Sequence, residues 1–148
     1  MKKRYKARFK ELEIIGKGNY GSATLIQRKT RSKNEVSEAN VELLIAKKVM
    51  IKSMNEKDQQ KALQEASLMK NLKHPNIVEF HESFIEDGLL YIIMEYCEEG
   101  DLSHHIKRNK KRNKQFSDKQ ILNWFVQIAI FNFLPFSTLN YFLIFMTF

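Results

Sequence analysis

The chain has 148 residues, 43% hydrophobic and 28% charged, enough for one ordinary domain with a real core and unlike a collagenous or disordered composition. Its net charge of +8 gathers in two clusters, Lys2-Lys3-Arg4 with Lys6, Arg8 and Lys10, and Lys107-Arg108 with Lys110, Lys111, Arg112 and Lys114. Neither cluster is interleaved with aromatics as a base-stacking platform is, so both read as solvated surface and no nucleic-acid partner is expected. The single cysteine, Cys97, excludes an intrachain disulfide and a Cys-based zinc site and points to a reducing compartment, intracellular and cytoplasmic. The N-terminus is basic with no apolar stretch behind it, which is not the pattern of a secretory signal.

Taken in chain order, 9–16 and 22–28 read as strands joined by the Gly-rich turn Gly16-Lys17-Gly18-Asn19-Tyr20-Gly21, with Leu12, Ile14, Leu25 and Ile26 as apolar positions. Residues 28–40 are polar and without period, a long hairpin loop. In the strand expected over 41–50, alternation sets Leu44, Ala46, Lys48 and Met50 on one side. Ser53-Met54-Asn55-Glu56 has capping-box spacing and opens a helix to about Leu72, on which Glu65 shares a stripe with Leu68, Met69 and Leu72. His74-Pro75-Asn76 stops that helix, because proline cannot continue the ladder and restricts the residue before it. Two more apolar runs, 77–84 and 89–94, flank Glu86-Asp87-Gly88, a turn suited to a tight hairpin. The expected fold is therefore α+β, a five-stranded, mostly antiparallel sheet with one packed helix. A polar helix near 102–110 follows, then a second capping box at Ser117-Asp118-Lys119-Gln120 and a helix with the stripe Ile121, Trp124, Phe125 and Ile128.

From Ile121 to Phe148 no residue is charged, and Pro135 interrupts the run. Such a stretch is long enough to cross a bilayer, with a basic cluster on its N-terminal side as at a cytoplasmic flank. Against a span stand the polar residues Asn123, Gln127, Asn132 and Asn140 and the well-capped amphipathic start. Membrane association through this tail remains an alternative expectation.

The chemistry centres on Lys48 and Glu65. Each is a charge on an apolar face, costly if buried alone, and the economical arrangement is that they meet. A G-x-G-x-x-G run serves dinucleotide-binding folds and kinases alike, but the former follow it with a helix and the latter with a strand. Here Ser22-Ala23-Thr24-Leu25-Ile26-Gln27 reads as strand, so the turn fits a loop whose backbone amides approach phosphate oxygens with no side chain in the way. Ile45-Ala46-Lys47-Lys48 follows the V-A-x-K pattern, with Lys48 as the phosphate-contacting lysine and Ala46 small enough to admit a flat ring. For Cys97, His74 and His104-His105 no activating base or ligand spacing accompanies the residue, so an inert thiol, a helix-end residue and a solvent face are the expectations, and no metal site is expected.

These segments, with Leu72-Lys73-His74-Pro75-Asn76-Ile77-Val78, with Leu90-Tyr91-Ile92-Ile93-Met94-Glu95-Tyr96-Cys97-Glu98-Glu99-Gly100-Asp101-Leu102 and with Gln120 to Ile128, resemble a eukaryotic protein kinase N-lobe, most similar to the NIMA-related serine/threonine kinases. The resemblance implies a basic extension over 1–8, an N-lobe and hinge over 9–100, the start of a C-lobe over 101–129 and an aberrant apolar tail over 130–148. It implies ATP as ligand and a protein substrate of unknown identity. Ile15, Gly16, Lys17, Gly18, Asn19, Tyr20, Gly21 and Ala23 would cover the nucleotide, and Ala46, Lys48 and Glu65 would serve it from the sheet and helix. Met94 would be the gatekeeper, Glu95, Tyr96 and Cys97 the adenine-binding hinge, and Asp101 a ribose neighbour. Ala23 stands where the general pattern has valine. More consequential, the sequence holds no H-R-D-x-x-x-x-N loop and no D-F-G segment, since its only aspartates are Asp58, Asp87, Asp101 and Asp118. The expectation is the ATP-binding portion of a serine/threonine kinase truncated before its catalytic loop, inactive by itself, with magnesium needed only in a complete kinase. The alternative is a catalytically dead binding module anchored by its apolar C-terminus.

Overall fold

A computed structural model of the chain describes residues 5–29 and 41–132. Two compact units, Met1–Lys73 with Glu79–Tyr96 and His74–Val78 with Cys97–Phe148, are taken in turn through their described residues.

The first unit opens with a short helix, α1 (Tyr5–Arg8), and then builds β1 (Phe9–Gly18), β2 (Gly21–Arg28), β3 (Leu43–Val49), helix α2 (Glu56–Asn71), β4 (Phe80–Glu86) and β5 (Leu89–Glu95). The strands form one five-stranded sheet in the order β1-β2-β3-β5-β4, every pair antiparallel. Its hairpins follow from local chemistry. Asp87 and Gly88 both take positive φ, 53° and 80°, as the tight turn between β4 and β5 requires. At Gly21 an added Cβ would lie 1.8 Å from the Lys48 carbonyl oxygen, so β2 and β3 approach too closely there for any side chain.

Registered pairs sort the sheet into two faces. Ala23, Lys47 and Ile92 align across β2, β3 and β5, as do Leu25, Ile45 and Met94, and these share one face. Thr24, Ala46 and Ile93 align on the other, beside Ile26, Leu44 and Tyr91. Helix α2 lies on the first face through Glu65 and the buried Ala66 and Met69. Its cap is Asn55, whose side chain accepts from the Asp58 amide at 2.9 Å, rather than the Ser53 box. Ser53 instead ends a 3-10 turn and bonds back to the Met50 carbonyl, because the chain needs that turn to leave β3.

The second face carries the main hydrophobic cluster, Tyr5, Phe9, Ile26, Leu44, Ala46, Tyr91 and Ile93, with Phe84 and Leu89 packed against it. Tyr5 stacks on Tyr91 at 4.3 Å between centroids, and Tyr91 stacks on Phe84 at 5.2 Å. The Arg8 guanidinium lies over Phe9 and Phe84 and pairs with Glu82, while the Tyr5 amide donates to Glu86 at 2.7 Å. Tyr5 is thus part of the core, while Lys6 and Ala7 beside it are exposed, because a tyrosine ring closes a sheet face that the strands alone leave open. Leu12 and Ile14, expected as apolar positions of the first strand, are exposed, and Phe9 is the one buried residue of β1.

In the second unit, α3 (Leu102–Lys111) is capped by Asp101 and α4 (Asp118–Asn132) by a reciprocal box, the Gln120 amide donating to Ser117 Oγ and the Ser117 amide to Gln120 Oε1. The expected α4 stripe divides: Trp124 meets Phe116 edge to face at 4.9 Å, whereas Ile121 and Phe125 are more than half exposed. Lys2, Lys3 and Arg4, most of the 28–40 loop and 133–148 of the apolar tail lie outside the described residues. Among the described residues no helix is long and apolar enough to cross a membrane.

Candidate functional site

The Glu65 carboxylate finds a lysine, but it is Lys47 and not Lys48. Lys47 Nζ donates to Glu65 Oε1 at 2.6 Å, with both side chains about three-quarters buried. Lys48 points to the opposite face and donates to Glu11 Oε1 at 2.7 Å, its ammonium 5.6 Å from the centre of the Tyr5 ring. The cause is strand alternation: Leu44, Ala46 and Lys48 do share a face, as the sequence indicates, but that face is the one closed by Tyr5 and Phe9. Ala46 moves with it. Fully buried between Thr24 and Ile93, it cannot line a ring-binding surface on the Lys47 side. Ile45 takes that place, opposite Met94.

The other expected residues of the first unit converge better. Ala23 is registered with Lys47 and shares its face, and Met94 lies on that same face, almost fully buried. The turn between β1 and β2 is pinned to the end of β3 by the Met50 amide, which donates to the Tyr20 carbonyl at 2.9 Å. A Cβ at Gly18 would meet nothing within 4 Å and one at Gly16 only Ala23 at 3.8 Å, so these glycines expose backbone instead of filling a packed gap. Ile15 and Tyr20 are exposed beside them. Lys17 and Asn19 belong to the same hairpin end. Glu95 ends β5 with its amide donated to the Glu79 carbonyl at 2.9 Å and its carboxylate accepting from the Glu79 amide at 3.1 Å. Its amide is therefore already committed.

In the second unit Cys97 is half-buried, and its carbonyl accepts from the Gly100 amide at 3.2 Å. The Asp101 carboxylate caps α3, accepting from the His104 amide at 2.6 Å. A cleft of about 380 Å³ in this unit, bordered by His105, Arg108, Phe116 and Trp124, contains none of the residues singled out for nucleotide. Among the described residues no three His, Cys, Asp or Glu side chains cluster as metal ligands would.

On the Lys47 face the arrangement can do one thing well: hold an ammonium steady beside a glycine-lined hairpin whose backbone is open to an anion. Lys47 itself escaped the sequence reading because the V-A-x-K pattern, set with Ala46 at its second position, selects Lys48, and the phase of β3 against α2 overrides it.

A family profile described as "Protein tyrosine and serine/threonine kinase" matches residues 9–133. The chain is 39% identical over 122 residues to the probable serine/threonine-protein kinase nek3 of Dictyostelium discoideum, a match covering 82% of this chain and 10% of that relative. It is 38% identical over 123 residues to the serine/threonine-protein kinase Nek1 of Mus musculus, covering 83% of this chain and 9% of the relative. To mouse serine/threonine-protein kinase Nek3 it is 41% identical over 120 residues, covering 80% and 20%. It thus spans only a tenth to a fifth of the length of these curated relatives. The chain belongs to the protein tyrosine and serine/threonine kinase family, and its curated homologues are NIMA-related serine/threonine kinases.

Proposed function

We propose that this span is the nucleotide-gripping portion of a serine/threonine protein kinase, the part that holds ATP while its terminal phosphoryl passes to a protein hydroxyl. The observation that carries the reading is the Lys47–Glu65 pair at 2.6 Å on the sheet face that Ala23 and Met94 share. Lys47 would neutralise phosphate oxygens of the bound nucleotide, and Glu65 fixes the ammonium's position, which lowers the cost of ordering it at each binding event. Gly16 and Gly18 let backbone amides approach those oxygens. Since the Glu95 amide is taken by Glu79, an adenine contact from Glu95 falls to its carbonyl.

ATP supplies the transferred group; the chain supplies position and charge. Transfer also needs a base or orienting carboxylate for the hydroxyl and ligands for magnesium, and residues 1–148 hold neither the H-R-D nor the D-F-G segment that provides them. The reading therefore assigns this span binding without transfer.

Titration with ATP, followed by calorimetry, tests it. Lys47→Ala should abolish whatever affinity the native chain shows, and Lys48→Ala should cost only a few-fold. Lys48→Ala counts for the assignment when its loss is no more than about five-fold, far smaller than that of Lys47→Ala; equal losses in the two variants, or no loss with Lys47→Ala, would show that the phosphate-binding assignment is wrong.

A further inference from the structure

β1 is a weakly anchored strand. Past Phe9 every one of its residues is exposed, and its pairing with β2 shifts register twice, between Glu11 and Glu13 and between Ile14 and Gly16. Apolar burial therefore does little to fix where the glycine-bearing end of this strand sits. Besides the Met50–Tyr20 bond at the hairpin tip, a side-chain ion pair reaches β1 from beyond its neighbour. Glu11 lies opposite Ile26, which is registered with Leu44, whereas Lys48 lies opposite Ser22, which is registered with Lys17. The Glu11–Lys48 ion pair thus runs diagonally over β2, linking two strands that are not adjacent in the sheet. A diagonal resists shear: sliding β1 along the sheet stretches it, and past Phe9 no buried side chain of β1 opposes such a slide.

The lysine end of the diagonal is well fixed. Its side chain is 18% exposed, against 45% for Glu11, and its ammonium lies within cation–π range of the buried Tyr5 ring. The pair also settles a choice between neighbours. With Lys48 engaged on the Tyr5 face, alternation aims Lys47 at Glu65; the opposite phase would send Lys47 toward Glu11 and strand Ala46 and Leu44 away from their cluster.

Resting on the nucleotide reading above, we propose that Glu11 and Lys48 are a positioning pair that holds the Gly-rich hairpin in register over β3 and keeps Lys47 aimed at Glu65, so that ATP affinity depends on two residues that do not touch the nucleotide. Because exposed pairs couple weakly, Glu11→Gln or Lys48→Met should each lower ATP affinity about two- to five-fold. Lys48→Arg should keep most of the affinity, and the reversed double variant Glu11→Lys/Lys48→Glu should recover it, which a purely local packing role would not give. Unchanged affinity in the single variants while Lys47→Ala abolishes binding, or a double variant no better than the singles, overturns the proposal.

Failure of the nucleotide reading shows differently, as a native chain that does not bind ATP or a Lys47→Ala variant that binds it normally. Backbone amide exchange over Gly16–Gly21 still decides the brace in that case. Faster exchange in Glu11→Gln with recovery in the reversed double supports it, and equal exchange in all three chains defeats it.

Discussion

Replacing Tyr5 separates its ring from its hydroxyl, and the two should act in opposite directions. The side chain is 2% exposed and touches three aromatic rings, with centroids 4.3 Å away for Tyr91, 5.5 Å for Phe9 and 6.5 Å for Phe84. Truncating a buried aromatic to alanine costs about 3–5 kcal/mol through lost transfer energy and the cavity left behind. The hydroxyl works against the ring, because its oxygen is buried and makes no hydrogen bond of ordinary distance and angle among the described residues, although the Glu11 carboxylate lies close enough to act on it. Burying such a group unpaired costs about 1–3 kcal/mol. With the hydroxyl at the low end of that range, about 1 kcal/mol, Tyr5→Ala should lose a net of about 2–4 kcal/mol, and Tyr5→Phe should gain about 1 kcal/mol. Urea unfolding read at the midpoint, with the slope checked for constancy, measures both. In a domain of this size each kcal/mol moves the melting temperature by roughly 4–8 °C, so thermal scans give an independent value. A Tyr5→Ala chain within about 0.5 kcal/mol of native would refute the reasoning, since that is how a residue in a solvated basic extension behaves. Loss of stability in Tyr5→Phe would mean that the hydroxyl has a partner.

Alkaline unfolding checks the same residue by another route. Burial first, and the Glu11 carboxylate second, raise the Tyr5 phenol above its ordinary value of 10.0, so the folded state keeps a proton that the unfolded chain releases. Stability from this group is intact below pH 10 and falls as pH rises beyond it, and the Tyr5→Phe chain should lose less over that interval by equilibrium denaturation; parallel curves would contradict it. Asn55→Ala removes the side chain that caps α2 and should cost about 1 kcal/mol in urea, a loss that Asn55→Ser largely avoids. Gly21→Ala places a methyl against the Lys48 carbonyl and should destabilise the sheet by about 1–3 kcal/mol or more, whereas Gly18→Ala, with open space around it, should be nearly neutral in stability. Similar unfolding midpoints for the two glycine variants would show that β2 and β3 do not approach as described.

Much of the architecture is legible in the order of residues because each signal there is local. The Asp87-Gly88 turn, the Ser117–Gln120 box and the helical stripe that Glu65 shares with Leu68, Met69 and Leu72, of which Met69 is buried, depend on neighbours within a turn or two. Tyr5 is the opposite case. It sits among lysines and arginines, and its burial depends on Tyr91, more than eighty positions away, offering a ring to stack on. No periodicity within 1–8 carries that information. The exposure of Leu12 and Ile14 is the same effect reversed: their apolar side chains suggest a core, but the cluster lies at the Phe9 end of the strand.

The pair Lys47-Lys48 shows where pattern alone runs out. A strand has a period of two, so adjacent residues always face apart and exactly one lysine can serve Glu65. Counting apolar residues favours the phase of Leu44 and Ala46, and that count correctly finds a buried face. It does not say which buried face bears the helix. β3 is central in the sheet and covered on both sides, so Ile45 and Val49 are buried on the other face too. In such a strand the hydrophobic pattern carries no phase, and the charges must supply it. Glu65 comes from the helix on one side and Glu11 from β1 on the other, and each takes the lysine it can reach. Identifying the lysine that pairs with Glu65 thus requires knowing where both carboxylates lie, which only the assembled sheet and helix disclose.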